Sequence, residues 1–121
     1  MILGLRTVAY HVTDLPKAKA WYCLALGKEP YFDQPFYVGY NVGGFELGLV
    51  PDGPAGPGGT DAYWGVADAK AAMAMLEGMG SPVLEPLKDV GEGILVGMVA
   101  DPFGNRFGII QNPQFSLKDV R

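Results

Sequence analysis

The stretch that decides the fold is VAYHVTDLPKAKAWYCLALG, residues 8–27, because AYWGVADAKAAMAMLEGMG, residues 62–80, repeats its pattern. Each copy is a short apolar strand, an aspartate, and a helical segment that ends in glycine. Asp14 and Asp68 are suited to accept hydrogen bonds from the free amides of a first helical turn. The chain is therefore predicted to contain an internal repeat.

Each helix is predicted to bury one apolar stripe, because apolar residues recur at helical spacing. Gly27 and Gly80 suit the left-handed position that follows a helix end. The predicted core-facing residues are Ala18, Trp21, Tyr22 and Ala25 in the first helix, and Ala72, Met75, Leu76 and Met79 in the second.

Three strand candidates follow each helix. They are residues 29–33, 36–42 and 45–50 in the first copy, and 83–87, 93–101 and 106–111 in the second. Glycine and proline interrupt any helix or strand in PDGPAGPGGT. The predicted fold class is α+β in a single domain. Its parts are module one (1–50), a Gly/Pro linker (51–60), module two (61–113) and a tail without clear structure (114–121).

Composition excludes several classes of protein. The 121 residues are 49% hydrophobic and 18% charged, which is typical of a globular domain. The net charge of −4 and the lack of a Lys/Arg run argue against nucleic-acid binding. No apolar run is long enough to span a membrane. The single cysteine cannot form an internal disulfide, so we expect a cytoplasmic protein.

The repeated order of strand, helix and three strands resembles the vicinal oxygen chelate superfamily, which contains glyoxalase I, the bleomycin-resistance proteins and the extradiol dioxygenases. The resemblance implies two tandem βαβββ modules that form a curved mixed sheet around a cavity. It also implies a homodimer, with modules paired within one chain or across two. The segments that carry it are residues 8–30, 45–50, 65–80 and 90–113, the last with its DPFGN turn.

Side chains alternate along a strand, so each strand presents one face to the helices and one to the expected cavity. The apolar faces are predicted to pack under the helices: Val8, Tyr10 and Val12; Phe45, Leu47 and Leu49; Ala62, Trp64 and Val66; Phe107 and Ile109. The opposite faces then point to the cavity: Thr7, Ala9 and His11; Glu46, Gly48 and Val50; Asp61, Tyr63 and Gly65; Arg106, Gly108 and Ile110.

Metal-using relatives take one ligand from each of four strands, and the resemblance puts these positions at Thr7, Glu46, Asp61 and Gly108. His and Glu ligands there suit a divalent ion that polarises substrate oxygens. Thr7 is a poor neutral ligand and Gly108 has no donor, so we expect no cofactor. A divalent metal on Glu46 and Asp61 is the alternative.

His11, the only histidine, lies four residues beyond Thr7 on the same face, roughly 13 Å away along a strand. Three roles stay open for it: a structural hydrogen bond, ligand binding or acid–base chemistry, and metal binding. Glu46 is a candidate ligand contact or catalytic base, a partner of Arg106 or His11, or an exposed side chain. Asp61 is expected to be exposed at a strand start.

The favoured function is metal-independent binding and sequestration of a small molecule, because the metal-ligand set is incomplete. The alternatives are a metal-dependent lyase similar to glyoxalase I, and another enzyme of the superfamily that uses Glu46 as base, assisted by His11 or Tyr63. The expected partners are a small molecule and a second copy of the chain, with no nucleic acid and no membrane. The predicted ligand contacts are Thr7, His11, Tyr40, Glu46, Tyr63 and Arg106.

Overall fold

The computed structural model describes residues 1–120 and contains the order strand, helix and three strands twice. This confirms the predicted α+β class and the two βαβββ modules. The first copy comprises β1 (Ile2–His11), α1 (Leu15–Leu26), β2 (Phe32–Gln34), β3 (Tyr37–Val42) and β4 (Phe45–Val50). The second comprises β5 (Thr60–Val66), α2 (Ala69–Gly78), β6 (Val83–Asp89), β7 (Leu95–Ala100) and β8 (Arg106–Gln111).

Internal contacts divide the chain into two compact units. The first unit is Thr7–Asp61 with the tail from Ser116 onward, and the second is Met1–Arg6 with Ala62–Phe115. The linker and the end of the tail therefore group with module one, and the first six residues group with module two. That the chain is a single domain stays a prediction.

In the first unit the strand order is β2-β3-β4-β1. β3 pairs antiparallel with both β2 and β4, and β1 runs parallel to β4 with Thr7 opposite Glu46. Leu15 of α1 packs on the sheet face formed by Val38, Tyr40 and Leu49. The apolar face predicted for β4 is therefore confirmed at Leu47 and Leu49, which pack under the helix.

In the second unit β5 runs parallel to β8, and β8, β7 and β6 continue antiparallel. The apolar faces predicted for β5 and β8 are confirmed at Trp64, Val66, Phe107 and Ile109. Trp64 stacks on Phe107 with ring centroids 6.0 Å apart. The core of this unit consists of Val66, Ala69, Ala72, Met73, Leu76, Val99 and Ile109.

Both helix N-caps are confirmed. The Asp14 carboxylate accepts a hydrogen bond from the Lys17 amide at 3.1 Å, and Asp68 accepts one from the Ala71 amide at 3.1 Å. Two otherwise unpaired amides of the first turns are satisfied in this way. Glycines with positive φ follow both helices, as predicted, with φ of 68° at Gly27 and 90° at Gly80.

The predicted buried stripes of the helices are partly wrong. Trp21 is 62% exposed and Met79 is 71% exposed, and Ala25 and Met75 also face solvent. Each buried stripe starts at the residue that follows the N-cap and continues at steps of three and four. The side chains that pack inward are Leu15, Ala18, Tyr22, Cys23 and Leu26 on α1, and Ala69, Ala72, Met73 and Leu76 on α2.

The linker and tail contain more structure than predicted. Gly56–Gly58 and Leu117–Asp119 each form one turn of 3-10 helix. Gly44 lies so close to the tail that a Cβ there would be 2.7 Å from the Val120 Cα. Neither helix of the described chain has the length and apolar character needed to cross a membrane.

Candidate functional site

At one level of the first unit's sheet, three neighbouring strands carry no large side chain, and we call these three positions the floor. Gly39, Gly48 and Ala9 are neighbours across β3, β4 and β1. Directly paired residues project to the same face of a sheet. The face opposite α1 is therefore flat at this level of the ladder.

Three polar side chains converge over this floor. A Cβ added to Gly39 would be 2.9 Å from Glu46 Oε2 and 3.1 Å from carbons of both the Tyr31 and Tyr37 rings. A Cβ added to Gly48 would be 2.6 Å from Tyr37 Cζ. The two glycines leave the space that one carboxylate and two phenols occupy.

Glu46 is held by two hydroxyl groups. Thr7 Oγ1 donates to Glu46 Oε1 at 2.9 Å, and the Tyr31 hydroxyl donates to Glu46 Oε2. Within residues 1–120 the Glu46 carboxylate forms no ion pair. One of the alternatives for Glu46, a pairing with His11, is therefore wrong, because His11 contacts Asp61 and Asp52 and two hydroxyls hold the Glu46 carboxylate.

Aromatic rings continue the site along β2 and β3. Phe32 pairs with Gly39 and so lies on the same face, with its ring centroid 6.0 Å from that of Tyr37. Phe36 extends the row, with its ring centroid 5.9 Å from that of Phe32. We call Phe32, Phe36 and Tyr37 the aromatic strip. It ends at the Glu46 carboxylate.

His11 belongs to a different cluster of the first unit. Its Nε2 lies 3.0 Å from Asp61 Oδ2, and its Nδ1 contacts the Asp52 carbonyl. A carbonyl only accepts, so Nδ1 carries a proton; an ionised Asp61 then requires a proton on Nε2 as well. The side chains of His11 and Asp61 are 12% and 5% exposed. The expectation that Asp61 is exposed is wrong, because the histidine covers it.

The surroundings of His11 favour its charged form. Burial lowers the pKa, but the hydrogen bond to Asp61, the bond to the Asp52 carbonyl and the nearby negative charge of both aspartates outweigh it and raise the pKa above 6.5. The His11 backbone amide also donates to the Gly59 carbonyl at 2.8 Å. Among the open roles for His11, this geometry supports the structural one, in which His11 holds the linker through the carbonyls of Asp52 and Gly59.

Tyr40 was predicted to contact a ligand, and the structure contradicts this. Its side chain is fully buried under α1, where its hydroxyl donates to the Lys19 carbonyl at 3.1 Å. Burial is the main cause of a raised Tyr40 pKa. Residues 37 and 40 fall on opposite faces of β3, and so Tyr37 lies over the floor in place of Tyr40.

The remaining predicted ligand contacts lie in the second unit. Tyr63 is paired with Gly108, and a Cβ on Gly108 would be 2.6 Å from Tyr63 Cδ1. The Arg106 guanidinium donates to the Glu85 carboxylate. Tyr63 and Arg106 stay predictions as ligand contacts.

The four positions where metal-using relatives carry ligands do not fit a divalent ion. Thr7 directs its hydroxyl proton at Glu46, and Gly108 has no donor atom. Asp61 is engaged by His11. Among the described residues no three His, Cys, Asp or Glu side chains are grouped as metal ligands. Of the four positions, only Glu46 and Asp61 carry carboxylates and none carries an imidazole. This is a weak donor set for the metals of such sites.

Comparisons with known proteins identify the family. The sequence profile of the Glyoxalase/Bleomycin resistance protein/Dioxygenase superfamily matches residues 4–109, so the chain belongs to this superfamily. No curated protein matches the sequence.

Solved structures share the fold at low sequence identity. Methylmalonyl-CoA epimerase from Streptomyces coelicolor, solved with 2-nitronate-propionyl-CoA, is 15% identical, with a TM-score of 0.73 over 96% of this chain and 99% of its own. The Mycobacterium tuberculosis methylmalonyl-CoA epimerase is 18% identical, with a TM-score of 0.71 over 92% and 89%. A superfamily member from Vibrio splendidus 12B01 is 21% identical, with a TM-score of 0.66 over 88% and 97%.

Replacing Gly48 by alanine should damage the site and the fold together. The new Cβ would overlap the Tyr37 phenol, so the ring must leave the floor. We expect a loss of about 1–3 kcal/mol in the free energy of unfolding, measured by urea denaturation. Gly78→Ala is the matched control, since its Cβ enters open space at the end of α2. Equal stability of the Gly48→Ala and wild-type proteins would contradict the close approach of Tyr37.

Proposed function

We propose that the protein binds and sequesters a small organic molecule over the floor of the first unit, without a metal ion. The observation that carries the proposal is the bond from Thr7 to Glu46. Thr7 stands at the position of the first metal ligand in metal-using relatives, and its hydroxyl donates a hydrogen bond to Glu46, at the position of the second ligand. The aromatic strip beside Glu46 supplies the apolar contact surface that small-molecule sites require.

Metal content and stability test the absence of a metal. We expect the purified protein to contain less than stoichiometric Ni, Zn, Mn or Fe by plasma mass spectrometry. Its melting temperature should not change on addition of EDTA or of these metals, because few donors are present to bind them. A stoichiometric metal that stabilises the wild type but not a Glu46→Gln variant would overturn the proposal.

A ligand screen by thermal shift tests the binding itself, since a ligand that binds only the folded state raises the melting temperature. The compounds should include aromatic metabolites, antibiotics and acyl-CoA thioesters, the last because methylmalonyl-CoA epimerases share the fold. The Gly48→Ala variant should respond less to any hit. A screen without any hit would count against the binding function.

The second candidate is an enzyme that uses Glu46 as general base, or a lyase similar to glyoxalase I. The position of Glu46 favours a base, because the carboxylate is only partly buried and lies beside an apolar surface. Isomerisation of the methylglyoxal–glutathione hemithioacetal, with and without added metals, tests the lyase. Turnover that Glu46→Gln abolishes while ligand binding persists would establish catalysis in place of sequestration.

Assembly and location belong to the same proposal. We propose a homodimer in the cytoplasm, as the superfamily resemblance and the single partly buried cysteine suggest. Light scattering coupled to size exclusion measures the mass in solution. A monomer at all concentrations would contradict the dimer without affecting the binding proposal.

A further inference from the structure

We propose that the ligand carries a cation, namely a protonated amine, an amidinium or a guanidinium on an aromatic or apolar body, and that Glu46 is its counter-ion. This inference rests on the proposed binding function and specifies the ligand class of the same site. It follows from one feature of the site that the fold does not explain: among the cations of residues 1–120, none pairs with the Glu46 carboxylate.

The first step concerns the charge of Glu46. Its side chain is half-buried, and among residues 1–120 the carboxylate accepts hydrogen bonds only from the hydroxyls of Thr7 and Tyr31. Two hydroxyls satisfy two of about four lone-pair positions on the carboxylate and supply no positive charge. The remaining acceptor positions and the negative charge complement a ligand that brings both N–H groups and a cation.

The second step concerns the surroundings. Lys19, the cation that α1 directs toward β2, pairs with Asp33 on the opposite sheet face and therefore does not serve Glu46. Tyr31, beside Glu46, is 63% exposed, and Phe36, at the far end of the aromatic strip, is 65% exposed, so both ends of the site present aromatic surface to solvent. Aromatic faces attract cations and stack on flat bodies, and so they add to the preference that the carboxylate creates.

The third step concerns geometry. Glu46, Tyr31 and Tyr37 all lie within 3.1 Å of one point, the Cβ position that Gly39 lacks. A ligand head group that reaches the outer edge of this cluster meets the carboxylate and both phenols at once. The aromatic strip continues from there for two further rings, Phe32 and Phe36, which suits an apolar body attached to the head group.

Three probes of matched shape test the inference: phenethylamine (cation), 2-phenylethanol (neutral) and phenylacetate (anion). Amide chemical shifts of the ¹⁵N-labelled full chain are followed during each titration. We expect the amine to bind at least about tenfold more tightly than the alcohol, with the largest shifts at Gly39 and Gly48, because a charge-assisted hydrogen bond exceeds a neutral one by about this factor. Salt should weaken the amine alone.

Glu46→Gln keeps the shape of the side chain and removes its charge. Binding of the amine should fall about tenfold or more, while the alcohol is little affected. Glu77→Gln, an exposed change on α2, is the charge-matched control and should leave both titrations unchanged.

The inference is overturned if the alcohol or the carboxylate binds as tightly as the amine, if no amine binding is detected, or if Glu46→Gln binds the amine normally. Binding of the neutral or anionic probe at Gly39 would leave the proposed binding function intact and reject only the cation. A stoichiometric metal on Glu46 would reject the proposed function itself.

Discussion

Tyr40→Ala should be among the most destabilising single substitutions in the first unit, with a loss of about 3–5 kcal/mol in the free energy of unfolding. The Tyr40 ring is fully buried among Leu15, Val38 and Leu49, so its removal leaves a cavity between α1 and the sheet. The loss of the hydroxyl also leaves the Lys19 carbonyl without this donor. Urea denaturation followed by circular dichroism measures the change.

Two further variants make this result specific. Tyr40→Phe keeps the ring and removes only the hydroxyl, so it should cost about 0.5–1.5 kcal/mol. Trp21→Ala removes a larger side chain from an exposed face of α1 and should cost less than about 1 kcal/mol. If Trp21→Ala destabilised the protein as much as Tyr40→Ala, the position of the buried stripe on α1 would be wrong.

The contrast between Tyr40 and Tyr37 shows what the sequence could predict. Alternation along YVGYNV places Val38 and Tyr40 on one face and Tyr37 and Gly39 on the other. The apolar pair of Val38 with Leu49 then assigns the first face to the core. The sequence therefore supplies the alternation along β3, and the pairing with Leu49, which only the structure shows, places Tyr40 on the core face and not among the ligand contacts. On the helices the same information was ambiguous, because α1 is apolar on more than one face.

Strand alternation predicts that Thr7 and Glu46 both point to the expected cavity. The structure adds that they lie opposite each other on β1 and β4, which allows their hydrogen bond. Tyr31 was not recognised. It precedes β2, and its amide donates to the Gly39 carbonyl at 3.0 Å, which brings the phenol to Glu46. In the sequence, only Gly39 and Gly48 indicate that side chains of other residues fill the space over the floor. Without the pairing of β3 with β2, nothing in the sequence shows which side chain does so.

Asp61→Ala should destabilise the protein by about 2–3 kcal/mol near pH 6, because it removes the charged acceptor of a nearly buried histidine. The pKa of His11 is raised in the folded state, so its protonation stabilises the fold fully below pH 6.5, and this contribution is lost as the pH rises through the folded pKa. The melting temperature of the wild type should therefore be level at pH 5.5–6.5 and decline above that range. Measurements should stop near pH 8.5, before the Cys23 thiol, whose pKa is raised, loses its proton.

Asp61→Asn separates charge from hydrogen bonding. A neutral His11 with its proton on Nδ1 still donates to the Asp52 carbonyl, and its bare Nε2 accepts from the asparagine amide. This variant should lose the decline above pH 6.5 and should be more stable than Asp61→Ala at pH 8. Because His11 is the only histidine, its ring proton signals give its pKa directly by NMR titration. We expect a pKa above 6.5 in the wild type and a lower one in Asp61→Asn. A wild-type value below 6.5, or the same decline in both proteins, would show that His11 and Asp61 do not form the charged pair that holds the linker.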